Sequence, residues 1–321
     1  MKLSRLLDGC DIITASGAQT VPDADIEITV LTTDSRSARR GSLFVCISGA
    51  RSDGHDFAAS AYESGCRCFL AERPLELAED ASVTVVSSTR RALAVIAQRF
   101  YGEPAASLRL IGITGTKGKS TTAELIRSGL EAAGRRTGII GTCGIGYGGC
   151  LRPSANTTPD ALELARTLAD MRDAGVETVV MEVSSQGLML HRTQGFIFDF
   201  GIFTNIEPDH IGPNEHKDFD DYLHCKSMLL KQCKVGIVNR DDEHFDRIVE
   251  GHTCALETYG FSEKADLRAE DAKLVGRKGY LGISYHVKGL LDFPVEIDIP
   301  GKFSIYNSLT AIAICRHFKV S

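Results

Sequence analysis

The sequence has no apolar run of the ~18 residues that a membrane-spanning helix requires, so no such helix is expected. Its opening, M-K-L-S-R-L-L-D-G-C, has no apolar core long enough for a secretory signal. No C-x-x-C pair occurs among the ten cysteines, at 10, 46, 66, 68, 143, 150, 225, 233, 254 and 315. Several lie in apolar runs such as L-F-V-C-I, which suits reduced, mostly buried thiols and a cytoplasmic setting. Cys66 and Cys68 flank Arg67 on an expected strand and read as such thiols rather than as metal ligands. An excess of positive charge is also missing. The formal net charge of -6 argues against a general nucleic-acid binder and leaves room for a local basic pocket. There is no internal repeat and no low-complexity tract.

What is there is enough apolar material, 43% of 321 residues, for about two globular domains. G-E-P-A-A-S (102–107) breaks the pattern and sets the expected division at 1–104 and 105–321. The first part reads as a small α/β domain, with strands near 26–31, 42–47, 66–71 and 83–86 and a helix over 57–65. Thr89 is the expected cap of a helix running to about Tyr101. T-T-D-S-R (32–36) and G-A-R-S-D-G-H-D-F (49–57) follow two of the strands, where ligands of α/β sheets bind; solvated polar turns are the alternative.

From residue 108 strands and helices alternate, as in a mostly parallel sheet with helices on both faces. A helix is expected from Asp160 or Thr158 to Ala174, another over 218–232, and another over 241–249. Short alternating runs over 267–299 predict β-hairpins, and P-G-K-F-S-I-Y-N-S-L leads into a last helix.

The strongest motif is G-I-T-G-T-K-G-K-S-T-T (112–122), between an apolar strand and a helical pattern. Gly115 and Gly118 let the backbone turn its N–H groups into one hollow, and the helix N-terminus adds partial positive charge. Lys119 is placed to reach outer phosphates, and the Ser120 hydroxyl to sit on Mg²⁺. The usual G-x-x-x-x-G-K-[ST] spacing asks for glycine where Ile113 stands, one place after Gly112. Glu182 and Asp209-His210 end strands on the same expected edge, where a carboxylate and an imidazole complete a magnesium–phosphate environment. Helix capping is the other use of Glu182. Lys226, by its spacing, reads as a solvated helix lysine. Arg192 either clamps a phosphate or carboxylate or pairs with an acid.

Taken in order, T-T-D-S-R, S-D-G-H-D-F, T-G-T-K-G-K-S-T-T, N-T-T-P, E-V-S-S-Q-G-L, H-R, T-N-I-x-x-D-H and Y-x-x-x-K resemble the Mur ligases, and among them the MurE type. The resemblance spans nearly the whole chain. It implies an ATP- and Mg²⁺-dependent amide ligase, cytoplasmic and monomeric, that works on neither nucleic acid nor membranes. ATP phosphorylates the D-glutamate carboxylate of UDP-MurNAc-L-Ala-D-Glu, and a diamino acid, L-lysine or meso-diaminopimelate, displaces the phosphate. MurF, a polyglutamate ligase, or a non-catalytic sensor of nucleotides or cell-wall precursors are the alternatives.

Residue by residue, the resemblance assigns Thr33 and Ser35 to the uridine end, and Ala50, Arg51 and Ser52 to the loop closing over it. Asn156, Thr157, Thr158, Ser184 and Arg192 match muramoyl-peptide contacts. Gly115, Thr116, Lys117, Gly118, Lys119, Ser120 and Thr121 match the ATP loop, and Asn307 an asparagine near the adenine. Ser120, Glu182 and His210 match the magnesium environment, joined by Lys226, a lysine that relatives carry as a carbamate. Lys119, Lys226 and His210 are thus the expected catalytic groups. Three positions depart: Lys117 where most relatives have Asn, Gln186 where they have His, and Leu190 where some place Gln. Relatives carry a third domain for the acceptor amino acid. The 321 residues are expected to lack it, and so to bind the UDP-sugar peptide and ATP but to ligate poorly.

Overall fold

The computed structural model describes residues 1–13, 26–49, 52–213 and 215–320. It divides into two compact units: Met1–Ala106 with Pro159–Asp170 and Leu190–Phe196, and Ser107–Thr158 with Met171–Met189 and Ile197–Ser321. Among the described residues no helix is long and apolar enough to cross a membrane.

The first unit runs α1 (Leu3–Leu7), β1 (Val30–Thr32), β2 (Ser42–Val45), α2 (Ala58–Glu63), β3 (Cys68–Ala71), β4 (Ser82–Val85) and α3 (Thr89–Phe100). The strands form one parallel sheet in the order β1-β2-β3-β4. β2 and β3 are buried at every position, as central parallel strands covered on both faces must be. Alternate side chains feed two cores. Leu43, Val45 and Leu70 pack with Leu93, Ile96 and Ala97 of α3, while Phe44 and Phe69 pack with Ala58 and Ala61 of α2. The cap of α3 is Ser88, not Thr89: the Ser88 hydroxyl accepts from Arg91 N–H, and Thr89 instead donates to Glu72. Cys66 and Cys68 are buried, and the Cys66 thiol donates to backbone carbonyls, so the pair is structural.

The second unit continues with β5 (Arg109–Thr114), α4 (Lys119–Ala132), β6 (Thr137–Gly141), β7 (Gly144–Tyr147), β8 (Cys150–Arg152), α5 (Ala161–Asp173), β9 (Thr178–Glu182) and α6 (Ser185–Met189). Then come β10 (Phe198–Phe203), α7 (Phe219–Ser227), β11 (Cys233–Asn239), α8 (Phe245–Ile248), β12 (Ala255–Gly260), β13 (Leu267–Arg277), β14 (Tyr280–Gly289), β15 (Phe293–Ile297) and α9 (Lys302–His317). Residues 161–170 of α5 belong to the first unit. Eleven strands form one sheet in the order β15-β14-β13-β12-β11-β10-β5-β9-β6-β7-β8. Its middle, from β6 to β13, is parallel; hairpins at both edges make it mixed. The hairpins over 267–299 match the sequence pattern, whereas the β7–β8 hairpin was not legible in it. Helices expected over 218–232 and 241–249 are shorter: α7 passes into a 3₁₀ turn at Met228–Lys231, and only Phe245–Ile248 is α-helical in the second stretch.

Strand β5 lies between β9 and β10. The chain leaves β5 toward β6 on one side and later crosses from β9 to β10 on the other. That reversal opens a crevice at the carboxyl ends of the strands, where α/β sheets bind ligands. Isoleucines 305 and 314, with Leu309 and Ala313, seat α9 against Ala123, Ile126 and Leu130 of α4, bringing the start of α9 to that edge.

Candidate active site

The loop between β5 and α4 is shaped by two left-handed glycines, Gly115 at φ +138° and Gly118 at φ +85°. A Cβ on Gly115 would run into Thr204 Oγ1 and the Asn205 backbone; one on Gly118 would meet Asn307 Oδ1. Not every loop N–H faces a ligand. Thr116 N–H donates to Asn205 O and Lys117 N–H to Asn205 Oδ1, at 2.9 Å each. The open donors lie in the first turn of α4, because Gly118 caps the helix without any side-chain hydrogen bond. The Lys119 ammonium arches back to the carbonyls of Gly115 (2.9 Å) and Thr116 (3.1 Å), and burial holds its pKa below the usual lysine value. Lys117, the first departure, is tied to Glu207 at 2.6 Å.

Glu182 ends β9 and is 2% exposed. Its carboxylate accepts from Ser120 Oγ (2.9 Å), Thr142 N–H (2.9 Å) and Thr142 Oγ1 (3.2 Å). It therefore does not cap α6; Ser184 does, accepting from Gly187 N–H. Thr158 is buried and braces this corner, donating to Glu182 O and accepting from Ser184 N–H. Thr157 meets Thr142 Oγ1 at 3.2 Å, and Asn156 is exposed. These residues, with Ser184, are parts of the second unit.

Lys226 departs from its bland reading as a solvated lysine. It is 2% exposed, donates to Gly115 O at 2.8 Å, and lies 4.7 Å from the centre of the Tyr222 ring. Burial, helped by the charge of Lys119, brings its pKa down to about 7. Tyr222 in turn meets Thr116 Oγ1 at 3.1 Å. Lys119, Ser120, Glu182 and Lys226 are thus gathered around one loop. His210 stands one step out: half exposed, at φ +54°, its Nδ1 3.2 Å from Glu215 Oε1 and its ring 6.2 Å from that of Tyr222.

Beside Gly118 and Thr121 opens a cavity of about 590 Å³, a size suited to a small-molecule ligand. Asn307 lines it and accepts from Thr122 Oγ1 at 3.2 Å. Tyr306, which donates to Asp241 Oδ2, and Phe303, a residue 66% exposed, also line it. Asp241, Asp242, Phe303, Asn205 and Thr142 were not singled out from the sequence. Thr142, Asn205, Asp241 and Asp242 follow the ends of β6, β10 and β11, which was the available signal, whereas Phe303 lies in the first turn of α9. A second missed group is the buried His216, whose Nδ1 meets Asp221 Oδ2 at 3.0 Å and whose backbone N–H donates to His210 O. It pins the turn that carries His210. His216, Asp221 and Cys225 set ligand-type atoms within 4.8 Å of one another, the one such group among the described residues.

In the first unit, Thr33 is exposed and Ser35 opens a 3₁₀ turn after β1, held by Asp34, which accepts from Arg36 N–H and pairs with its guanidinium. Ser52 is exposed, and its carbonyl accepts from Gly49 N–H. Ala50 and Arg51 lie outside the described residues. Arg192 is half-buried, with Asp160 and Arg90 in its electrostatic surroundings.

A strand, a glycine loop carrying Lys119 and Ser120, and a helix at the reversal of a mostly parallel sheet define the phosphate-loop class of α/β proteins. Two family models refine this, the Mur ligase middle domain over residues 113–315 and the Mur ligase family catalytic domain over 27–101. The chain belongs to the Mur ligase family. It is 39% identical over 299 residues to UDP-N-acetylmuramoyl-L-alanyl-D-glutamate--2,6-diaminopimelate ligase 1 of Clostridium acetobutylicum, covering 93% of this chain and 61% of that one. The like-named ligase of Bacillus licheniformis is 39% identical over 326 residues, with 98% and 64% covered. The chain thus spans about three fifths of the length of these relatives. A solved diaminopimelate ligase of the same name matches with TM-score 0.84 at 23% identity over all of this chain and 64% of its own. MurF of Thermotoga maritima, solved in complex with ADP, matches with TM-score 0.61 at 21% identity, with 91% and 64% covered. These two likenesses show the fold.

Proposed function

We propose that the chain supplies the nucleotide-sugar-binding and ATP-binding parts of a cytoplasmic ligase that adds meso-diaminopimelate to UDP-MurNAc-L-Ala-D-Glu. The observation that carries this reading is the gathering of Lys119, Ser120, Glu182 and Lys226 around the β5–α4 loop, beside the cavity lined by Asn307. The relatives' names supply the substrate and the diamino acid. In this reading residues 1–104 hold the UDP end through Thr33, Ser35 and the loop at Ala50, Arg51 and Ser52. Residues 105–321 hold ATP, with Asn156, Thr157, Thr158 and Ser184 on the sugar-peptide, and Arg192 serves the same ligand.

Lys119 and the first-turn N–H groups of α4 orient the phosphates of ATP and offset their charge, which is most of what phosphoryl transfer to a carboxylate needs. The oxygen-rich donor set at Ser120 and Glu182 fits Mg²⁺, a hard cation, and His210 and Lys226 as a carbamate are its further candidate holders. Bound there, the ion would neutralise charge on the transferring phosphoryl group. Lys226 Nζ, with its pKa down at about 7, is in substantial part an uncharged amine in neutral solution, the form that adds CO₂. Phe303 offers an exposed ring face at the cavity for a purine base.

Calorimetric titration tests the reading. UDP-MurNAc-L-Ala-D-Glu is expected to bind, UDP-MurNAc-tripeptide more weakly, and a folate not at all, with ADP and Mg²⁺ binding lost in Lys119→Ala. Preference for the tripeptide would point to a MurF-type ligase, and preference for folate to a polyglutamate ligase.

A further inference from the structure

The second unit gathers one set of side chains that the proposed chemistry leaves unused. Asp221 and Cys225 stand four residues apart on α7 and so share one face of that helix. His216 precedes the helix. Its turn is closed by His216 N–H donating to His210 O at 3.0 Å and by Gly212 N–H donating to His216 O at 3.1 Å. The His216 side chain is fully buried and Cys225 is buried, while the Asp221 side chain is 27% exposed, so solvent reaches the group at Asp221. Asp218 caps α7 and accepts from Asp221 N–H at 2.8 Å, which fixes the backbone between His216 and Asp221.

Imidazole, carboxylate and thiol together are the donor set of a borderline-soft dication. One ligand atom from each of the three residues lies within 4.8 Å of the other two. Tetrahedral zinc holds neighbouring ligand atoms roughly 3.3–3.8 Å apart, so the three close on the ion with a movement of about 1 Å. His216 Nδ1 and Asp221 Oδ2 already stand 3.0 Å apart, sharing a proton whose place the ion takes. Nε2 has no hydrogen-bond partner among the described residues, so the ring moves its proton there without breaking another bond. The Cys225 thiol gives its proton to solvent. One neutral imidazole, one carboxylate and one thiolate then balance the two charges of the ion, as a buried site requires. Water fills the fourth position, on the Asp221 side. Mg²⁺, which takes oxygen ligands, is poorly served by nitrogen and sulfur.

We propose that His216, Asp221 and Cys225 form a zinc site, with donors distinct from the oxygen set at Ser120 and Glu182. A zinc ion there ties the turn that carries His210 to the helix that carries Lys226, the residue after Cys225. It acts as a structural clasp between two segments that a single hydrogen-bonded pair, His216 with Asp221, otherwise joins through side chains. The site stands whether or not the chain binds a nucleotide.

The test titrates Co²⁺, and then Zn²⁺, into the reduced 321-residue chain with Mg²⁺ in large excess. Co²⁺ is the probe because a cobalt–thiolate bond gives a near-ultraviolet charge-transfer band that nitrogen and oxygen ligands do not give. Wild type is expected to show this band saturating at one equivalent, with Zn²⁺ abolishing it and raising the thermal midpoint. Cys225→Ala is expected to lose the band, the thermal shift and at least about a hundredfold in Zn²⁺ affinity, because loss of even an outer partner of a metal site costs tenfold or more. Asp221→Asn should keep the band and lose about tenfold in affinity. Cys143→Ser/Cys150→Ser, which removes the two exposed thiols, should leave every reading as in wild type. Circular dichroism reports that each variant is folded, and Asp221→Asn carries the comparison if Cys225→Ala does not fold. A band that survives Cys225→Ala, or that disappears with Cys143→Ser/Cys150→Ser, overturns the proposal. So does a wild type without a saturable band, which would leave Asp221 as the hydrogen-bond partner of His216 and Cys225 as a packed thiol.

Discussion

Lys226 shows how little a residue's type says about its state. On α7 its spacing is that of any surface lysine, yet the fold buries it against Gly115 O and beside Lys119. Its pKa falls to about 7, so between there and the ordinary lysine value the unfolded chain holds a proton that the folded chain has released. Stability should therefore rise with pH through that window, and Lys226→Met should flatten the rise; urea midpoints measured from about pH 7 to 10 read the slope. Incubation with bicarbonate should add the mass of one CO₂ to the native chain and none to the Met variant. Glu182 is a second buried group, a carboxylate that accepts from three donors at 2% exposure. Glu182→Gln keeps the size, loses the charge and turns an amide toward donors. Magnesium should then improve ADP affinity about tenfold less than in wild type, on the ~1.4 kcal/mol scale of one lost charge-assisted contact. An undiminished magnesium effect would remove Glu182 from the metal's surroundings.

At the scale of elements, the β5–α4 loop works because its neighbours take up what it cannot use. Asn205, after β10, occupies two of the loop's N–H groups, Thr204 Oγ1 donates to Lys117 O, and what is left open is the first turn of α4. Gly115→Ala would force a side chain into Thr204 at a φ that L-residues avoid, so we expect a loss of about 2 kcal/mol in unfolding free energy together with loss of ADP binding. Retained stability in a denaturant titration would show that the loop adapts. The glycines, lysine and hydroxyl of this loop were legible in the sequence because local backbone geometry demands them at fixed offsets. The role of Asn205 was not, since nothing in T-N-I says which neighbouring strand it will lie beside. Likewise Ser88, not Thr89, caps α3: both are good caps, and Glu72, seventeen residues back, takes Thr89.

For the whole molecule, the prediction is that ligands of the two units act separately. UDP and ADP with Mg²⁺, each at about 100 times its Kd, should each add roughly 2.7 kcal/mol to the stability of the unit that binds it. Lys119→Ala should abolish the ADP effect and spare that of UDP, read as thermal shifts; loss of both would mean that one site serves both nucleotides. The sequence by itself determined the α/β class, the phosphate loop, the hairpins over 267–299 and the strand end carrying Glu182, whereas His210 falls in a loop seven residues past β10; hydrophobic period and turn chemistry are local properties of the chain. Tertiary structure alone decided that Lys226 is buried with its pKa lowered to about 7, that Glu182 faces Ser120 and Thr142, and that Arg91 lies against His191 a hundred residues on. Each of those outcomes depends on which strands become neighbours, and strand order is set by the packing of both sheet faces at once, which no single stretch of sequence contains.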